Sequence, residues 1–224
     1  MSDETLPAPV AAPELDWAAQ AEQRLLDAAV RLSPDLGWSP AMLAKAAQVA
    51  GLSAGEALLV VPNGPRDLLA LLSARHDAAA LAALARIDPK ALKVRERIRR
   101  AVEARLDAAE ADAAATRRWG GALALPHHLP LALRLTWESA DVLWRWAGDT
   151  ATDENHYSKR AILSVILIGG LSLRLHGGRE AAGAYVDARI GEVMAFETWK
   201  AKLKPADLAR QLAGALGRLR YGRA

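Results

Sequence analysis

Residues 38–65, WSPAMLAKAAQVAGLSAGEALLVVPNGP, decide the fold. Ser39 offers its hydroxyl to the open amides of a helix whose first position is Pro40, where a missing N–H removes no hydrogen bond. Gly51 ends that helix. Ser53 and Glu56 then form a capping box, in which a hydroxyl and a carboxylate satisfy each other's orphan amides. The helix they open is short and stops at Pro62-Asn63-Gly64, and a longer one begins near Pro65 and reaches about Arg86. Upstream, a helix from about Leu15 to Leu32 places Trp17, Ala21, Leu25, Ala28, Ala29 and Leu32 on one face before Asp35-Leu36-Gly37-Trp38 breaks it. Short helices joined by tight glycine turns make a helix-turn-helix unit.

The rest of the chain also reads as helix. Alanine and leucine dominate and no stretch alternates as a strand would. Val94, Ile98, Val102 and Leu106 recur every four residues, so a helix spans roughly 90–115. Pro126 and Pro130 bracket a connection holding His127 and His128. A Trp-rich helix covers about 131–147, another follows Thr152 or Asp153 and ends at Gly177-Gly178, a further one covers about 179–198, and a last one follows Pro205. The string from Arg24 to Leu72 resembles the N-terminal domain of tetracycline-repressor-type regulators. The expected architecture is therefore all-α and tetracycline-repressor-like, a helix-turn-helix three-helix unit plus a larger C-terminal helical domain. The expected divisions are a disordered lead-in at 1–14, the helix-turn-helix-like unit at 15–64, a ligand-binding and dimerisation domain at 65–204, and a basic amphipathic helix at 205–224.

Charge argues against DNA as a partner. Residues 1–70 carry four basic and nine acidic groups, a net of −5, while the remainder carries +8. A recognition helix must bring donors to base edges, with lysines and arginines at the flanking phosphates. Here that helix is Ala54 to Val61, whose one charge, Glu56, is negative. Between Asp35 and Gly64 the sole basic residue is Lys45. A net negative domain meets the phosphate backbone with repulsion. No nucleic-acid partner is expected.

Nor do the residues assemble a reaction centre. The chain has no cysteine, which removes disulfides, thiolate metal sites and cysteine nucleophiles. Gly178 to Gly183 has phosphate-loop spacing, but Ala184 and Tyr185 stand where Lys and Ser/Thr are required. Gly170-Leu171-Ser172-Leu173-Arg174 lacks the last glycine of a nucleophile elbow. No His lies three residues after a Glu, so the paired sites of a di-iron bundle are absent. Asp107, Glu110 and Asp112 read as a solvated helix face. No catalytic residue, metal or cofactor is expected. The longest strongly apolar run, Ala161 to Leu173, has 13 residues, against about 20 for a membrane span, so no crossing is expected either.

The most specific stretch runs from Leu131 to Arg160, LALRLTWESADVLWRWAGDTATDENHYSKR, followed by AILSVILIGGLSLRL. It resembles the coenzyme Q (ubiquinone) biosynthesis accessory family, protein nine of that pathway. The resemblance rests on Trp137, Ala140-Asp141, Trp144, Gly148-Asp149-Thr150 to Asp153, Asn155, Tyr157 and Lys159-Arg160-Ala161. It implies a dimeric, repressor-like helical protein with an apolar pocket. Such a protein binds isoprenoid lipids and presents a ubiquinone precursor to the demethoxyubiquinone hydroxylase. It further implies a partner-binding patch at Asp153, Asn155, His156, Tyr157 and Arg160. The family commonly has Trp or another large aromatic where His156 stands.

The residues speak to the same sites more weakly. Asp153, His156, Tyr157 and Arg160 fall at i, i+3, i+4 and i+7, which places them on one helical face; an interface or an ordinary helix start both fit. Ile162, Leu163, Val165, Ile166, Leu167 and Ile168 surround their helix, so it is buried in core or faces both a core and a lipid cavity. Gly169 and Gly170 permit close helix approach or leave room for a ligand. Trp137 and Trp144 are core aromatics or pocket walls. The expected lipid-binding set is Trp137, Trp144, Ile162, Val165, Ile166, Gly169 and Gly170. After Pro205, Leu208, Leu212, Leu216 and Leu219 form a stripe with Arg218 and Arg220 off it, suited to a bilayer interface or to docking on a core.

The expected function is a non-catalytic lipid-binding protein, peripheral on the cytoplasmic side of a bacterial inner membrane. Its expected partners are an isoprenoid quinone precursor or phospholipid, the hydroxylase, the membrane surface and a second copy of itself. The alternative is a tetracycline-repressor-type transcriptional regulator with a small-molecule pocket.

Overall fold

A computed structural model describes residues 17–150 and 154–202, without the side chains of 154, 155 and 196–202. The protein is all-α, with no strand among the described residues. Its helices are α1 (Trp17–Leu36), α2 (Pro40–Val49), α3 (Ala54–Val60), α4 (Pro65–Leu84), α5 (Val94–Ala111), α6 (Ala113–Leu123), α7 (Leu129–Trp146) and α8 (Glu154–Lys202), with single 3-10 turns at Pro89–Ala91 and Pro126–His128. The chain forms two compact units, whose boundaries fall inside α4, α5 and α7. The lead-in at 1–14 and the tail at 205–224 lie outside the described residues.

The first unit comprises residues up to 78 together with 109–135. Its start signals act as the sequence requires. The Ser39 side chain accepts from Met42 N at 3.1 Å. Ser53 and Glu56 complete the reciprocal capping box, whose hydrogen bonds from the Ser53 side chain and backbone hold the Glu56 carboxyl below its ordinary range. Gly51, with φ +69°, turns the chain between α2 and α3, whose axes differ by 107°, within the range of helix-turn-helix motifs. α1 buries Ala21, Leu25, Leu26, Ala28 and Ala29 and packs on α2, α3 and α6. Trp17, expected on that inner face, is exposed. Two indoles tie the unit across long sequence separations: Trp38 donates to the Ala115 carbonyl at 3.3 Å and Trp119 to the Leu69 carbonyl at 2.8 Å.

The single helix expected over 90–115 is instead a 3-10 turn, α5 and the start of α6. Asp112, at φ −108° and ψ 35°, breaks it. The Asp112 carboxylate pairs with the buried His76 ring at 3.1 Å, an attachment a continuous solvated helix would not make.

The second unit comprises 79–108 and the residues from 136 onward. Its core joins Leu84 of α4, Ile98, Val102 and Leu106 of α5, Ala140 and Leu143 of α7, and Leu163, Ile166, Leu167, Val186 and Ile190 of α8. The long α8 is two arms, 154–177 and 179–202, broken where Gly178 takes φ +83° and ψ −179°, a region essentially confined to glycine. The arms fold against one another. A Cβ on Gly169 would overlap the Tyr185 ring, and one on Gly170 would lie 3.2 Å from Leu106 and 3.3 Å from Val186. Gly178→Ala is expected to destabilise the protein by about 1–3 kcal/mol. Gly183→Ala, whose added Cβ meets nothing within 4 Å, should gain up to about 1 kcal/mol of helix propensity. Urea unfolding of the two variants measures the contrast.

Candidate functional site

The start of α8 and the second half of α7 build the site. Trp137 of α7 lies half-buried beneath two α8 side chains, with ring centroids 6.5 Å from His156 and 6.1 Å from Tyr157. His156 and Tyr157 meet edge to face at 5.2 Å. These separations fall in the range of favourable aromatic pairs. Tyr157 is nevertheless 64% exposed.

Below this cluster sits an ionic network. The Arg160 guanidinium, 2% exposed, donates to Asp141 at 2.6 Å, to Asp149 at 3.0 Å and to the His156 carbonyl at 3.1 Å. Lys159 reaches the other Asp149 oxygen at 2.6 Å and lies 5.3 Å over the Trp144 ring. Trp144 in turn donates its indole N–H to the Lys159 carbonyl at 3.0 Å. Burial would raise the Asp149 carboxyl, but hydrogen bonds and charge from Lys159 and Arg160 outweigh that and hold it below the usual carboxylate range.

This corrects the expectation for Arg160. It does not share an outward face with Tyr157, because two carboxylates draw it into the interior, where it fastens α8 to α7 and to Asp149. Tyr157 faces out and His156 is half-buried beside it. Asp153 and the Asn155 side chain lie outside the described residues, as do Leu208, Leu212, Leu216, Arg218, Leu219 and Arg220.

The seven residues expected to bind lipid divide between two faces and the helix contact. Ile162 and Val165 point outward with Ile168, so that an apolar stripe continues from Tyr157 through Ala161; Val165 is 62% exposed. Ile166 faces the core with Leu163 and Leu167. Gly169 and Gly170 receive Tyr185 and Val186. Trp137 belongs to the aromatic cluster, and Trp144 is engaged with Lys159. Among the described residues one stretch, within His156–Ala195, is long and apolar enough to cross a membrane by length and composition. Its inner residues form the core of the second unit, and Arg174 inside it bonds Asp107 at 2.8 Å, which suits a core hairpin.

In the first unit, α3 shows Leu58 and Leu59 to solvent, the latter 76% exposed, where a DNA reader carries donors. The His127 and His128 rings lie 4.1 Å apart, tilted by 50°. Burial first, then the neighbouring His127 and Arg66 charges, lower the His128 pKa. No group of three or more metal-ligating side chains occurs among the described residues.

These features define a helical protein organised around an apolar hairpin, with an outward apolar and aromatic face and a buried ionic clasp beneath it. The family model described as COQ9 matches residues 129–197, which contain that face and clasp. Curated proteins named "Ubiquinone biosynthesis protein COQ9, mitochondrial" are similar. The one from Bos taurus is 32% identical over 155 residues, covering 66% of this chain and 48% of that protein. The one from Homo sapiens is 31% identical over the same length and the same shares. The one from Xenopus tropicalis is 28% identical over 193 residues, covering 80% of this chain and 59% of that protein. The chain belongs to the COQ9 family. It spans about half the length of the curated relatives it matches.

Proposed function

We propose that this protein is a non-catalytic, lipid-binding accessory protein of ubiquinone biosynthesis. It takes up an isoprenoid quinone precursor at a membrane surface and presents it to the demethoxyubiquinone hydroxylase. The names of the relatives support the pathway. The observation that carries the mechanism is the first arm of α8, which is apolar on both sides. Leu163, Ile166 and Leu167 form core while Tyr157, Ile162, Val165 and Ile168 stand exposed. Leaving such a stripe in water costs about 25 cal/mol per Å², and a contiguous apolar patch marks a surface meant to be covered. The Arg160 clasp fixes the stripe's first turn, so the face is presented already ordered and little entropy is lost on docking.

In this reading the hydroxylase covers Tyr157 and its neighbours, the isoprenoid tail follows the apolar surface, and a second copy completes a homodimer. The repressor-like α1–α3 unit serves as scaffold, since its exposed leucines offer phosphates nothing. No resident cofactor is needed. Val165→Asp places a charge on the stripe without touching the core, and is expected to weaken hydroxylase binding at least tenfold with circular dichroism unchanged. Calorimetric titration of the purified hydroxylase checks this. Undiminished affinity would contradict the assignment of the face.

A further inference from the structure

Resting on the membrane-surface reading above, we infer that the edge of the second unit formed by Lys90, Lys93, Val94 and Arg95 is a second contact with an anionic phospholipid bilayer, separate from the tail and built to fix the protein's orientation. Lys90, Lys93 and Arg95 are exposed, and so is Val94, at 48%. Within 86–95 there are four basic residues and one acid, Asp88, and that acid accepts from Lys90 N to cap the 3-10 turn. Among the described residues Lys90, Lys93 and Arg95 form no ion pair, whereas Arg99 and Arg100 further along α5 are engaged with Asp187 and Glu96. The edge is also anchored. Arg97 donates to the Leu92 carbonyl at 2.8 Å and to the Ala147 carbonyl at 2.9 Å, which ties it to the end of α7.

Its position supports the assignment. Arg95 lies against Gly191 and Arg99 pairs with Asp187, so α5 runs antiparallel to the second arm of α8. Residues 90–95 therefore lie toward the end where that arm continues to Lys202. The 22 residues that follow contain Lys204, Arg210, Arg218, Arg220 and Arg223, so the chain enters its basic segment from the same end as the edge. Pairing of Gly169 with Tyr185 and Gly170 with Val186 puts the start of α8, with Tyr157, at that end too. A bilayer met there would lie beside the outward face. Exposed cations around an apolar valine suit headgroups with acyl chain beneath; a nucleic acid would leave the valine without a partner.

The absence of cysteine allows a single environment-sensitive fluorophore at Val94→Cys, with Glu180→Cys as a control. Position 180 is exposed and lies just past the Gly178 break, roughly 30 Å along the arm from its far end. Phosphatidylglycerol vesicles should blue-shift emission at 94, leave 180 unchanged, and act only weakly when made of phosphatidylcholine. Lys90→Glu/Lys93→Glu/Arg95→Glu, with circular dichroism intact, should bind the anionic vesicles at least tenfold more weakly. Vesicle co-sedimentation with no change at 94, or undiminished binding of the charge-reversed protein, would overturn the edge while the membrane reading stood. Failure of the wild type to sediment with vesicles would overturn both. A shift produced by duplex DNA and not by vesicles would also overturn the inference.

Discussion

Arg160→Met is expected to destabilise the protein by about 3 kcal/mol, since removing the buried partner of an ionic cluster leaves its opposite charges only partly compensated. The guanidinium is 2% exposed and bonds both Asp141 and Asp149; without it Asp141 keeps only the exposed Arg145 and Asp149 only Lys159. Asp141→Asn should cost less in the Arg160→Met background than in the wild type, the mark of direct coupling. The pH dependence has a definite sign. Asp149 is held below its ordinary range, so its contribution is complete above the unfolded carboxylate value of about 3.9 and is lost as pH falls through the lower folded value. Asp149→Asn should therefore flatten the acid limb of stability against pH. Chemical denaturation at pH 7 and in the acid range measures both effects. A loss under 1 kcal/mol for Arg160→Met would mean the network is ornamental.

Deleting 206–224 is expected to weaken binding to anionic liposomes on the order of 100-fold or more, with helical circular dichroism largely retained. The segment holds Arg210, Arg218, Arg220 and Arg223 beside the leucines of an amphipathic pattern. Each basic side chain near an anionic surface contributes about 1 kcal/mol, and every 1.4 kcal/mol is tenfold in affinity. Raised salt should weaken the full-length protein's binding in the same direction. Unchanged co-sedimentation of the truncated protein would remove the tail from the account.

Local signals were legible where one residue type does one job. Ser39, the Ser53–Glu56 box, Gly51 and Gly178 all act where their chemistry requires, because caps and positive-φ glycines are decided within a few residues. α6 carries a weak local signal because Gly120 and Gly121 inside it lower its helix propensity, while its hold on the first unit comes from Trp119 bonding Leu69, 50 residues away. The site divided in the same manner. Helical spacing grouped Tyr157 with Arg160, yet the two diverge because Asp141 and Asp149, 19 and 11 residues distant, pull the arginine inward. Likewise a helix apolar all round does not declare which side is core. Only the approach of Val186 and Ile190 from the second arm, and of Leu106 and Leu143, leaves Ile162, Val165 and Ile168 outside.

We propose that this COQ9-family chain carries an isoprenoid quinone precursor. The most direct test is organic extraction of the gently purified native protein, with mass spectrometry of the lipid that accompanies it. Enrichment of a polyprenyl phenol or quinone over a size-matched helical control is the predicted result, and the enriched molecule names the cargo. Recovery of bulk phospholipid alone, or of no lipid, would contradict the claim.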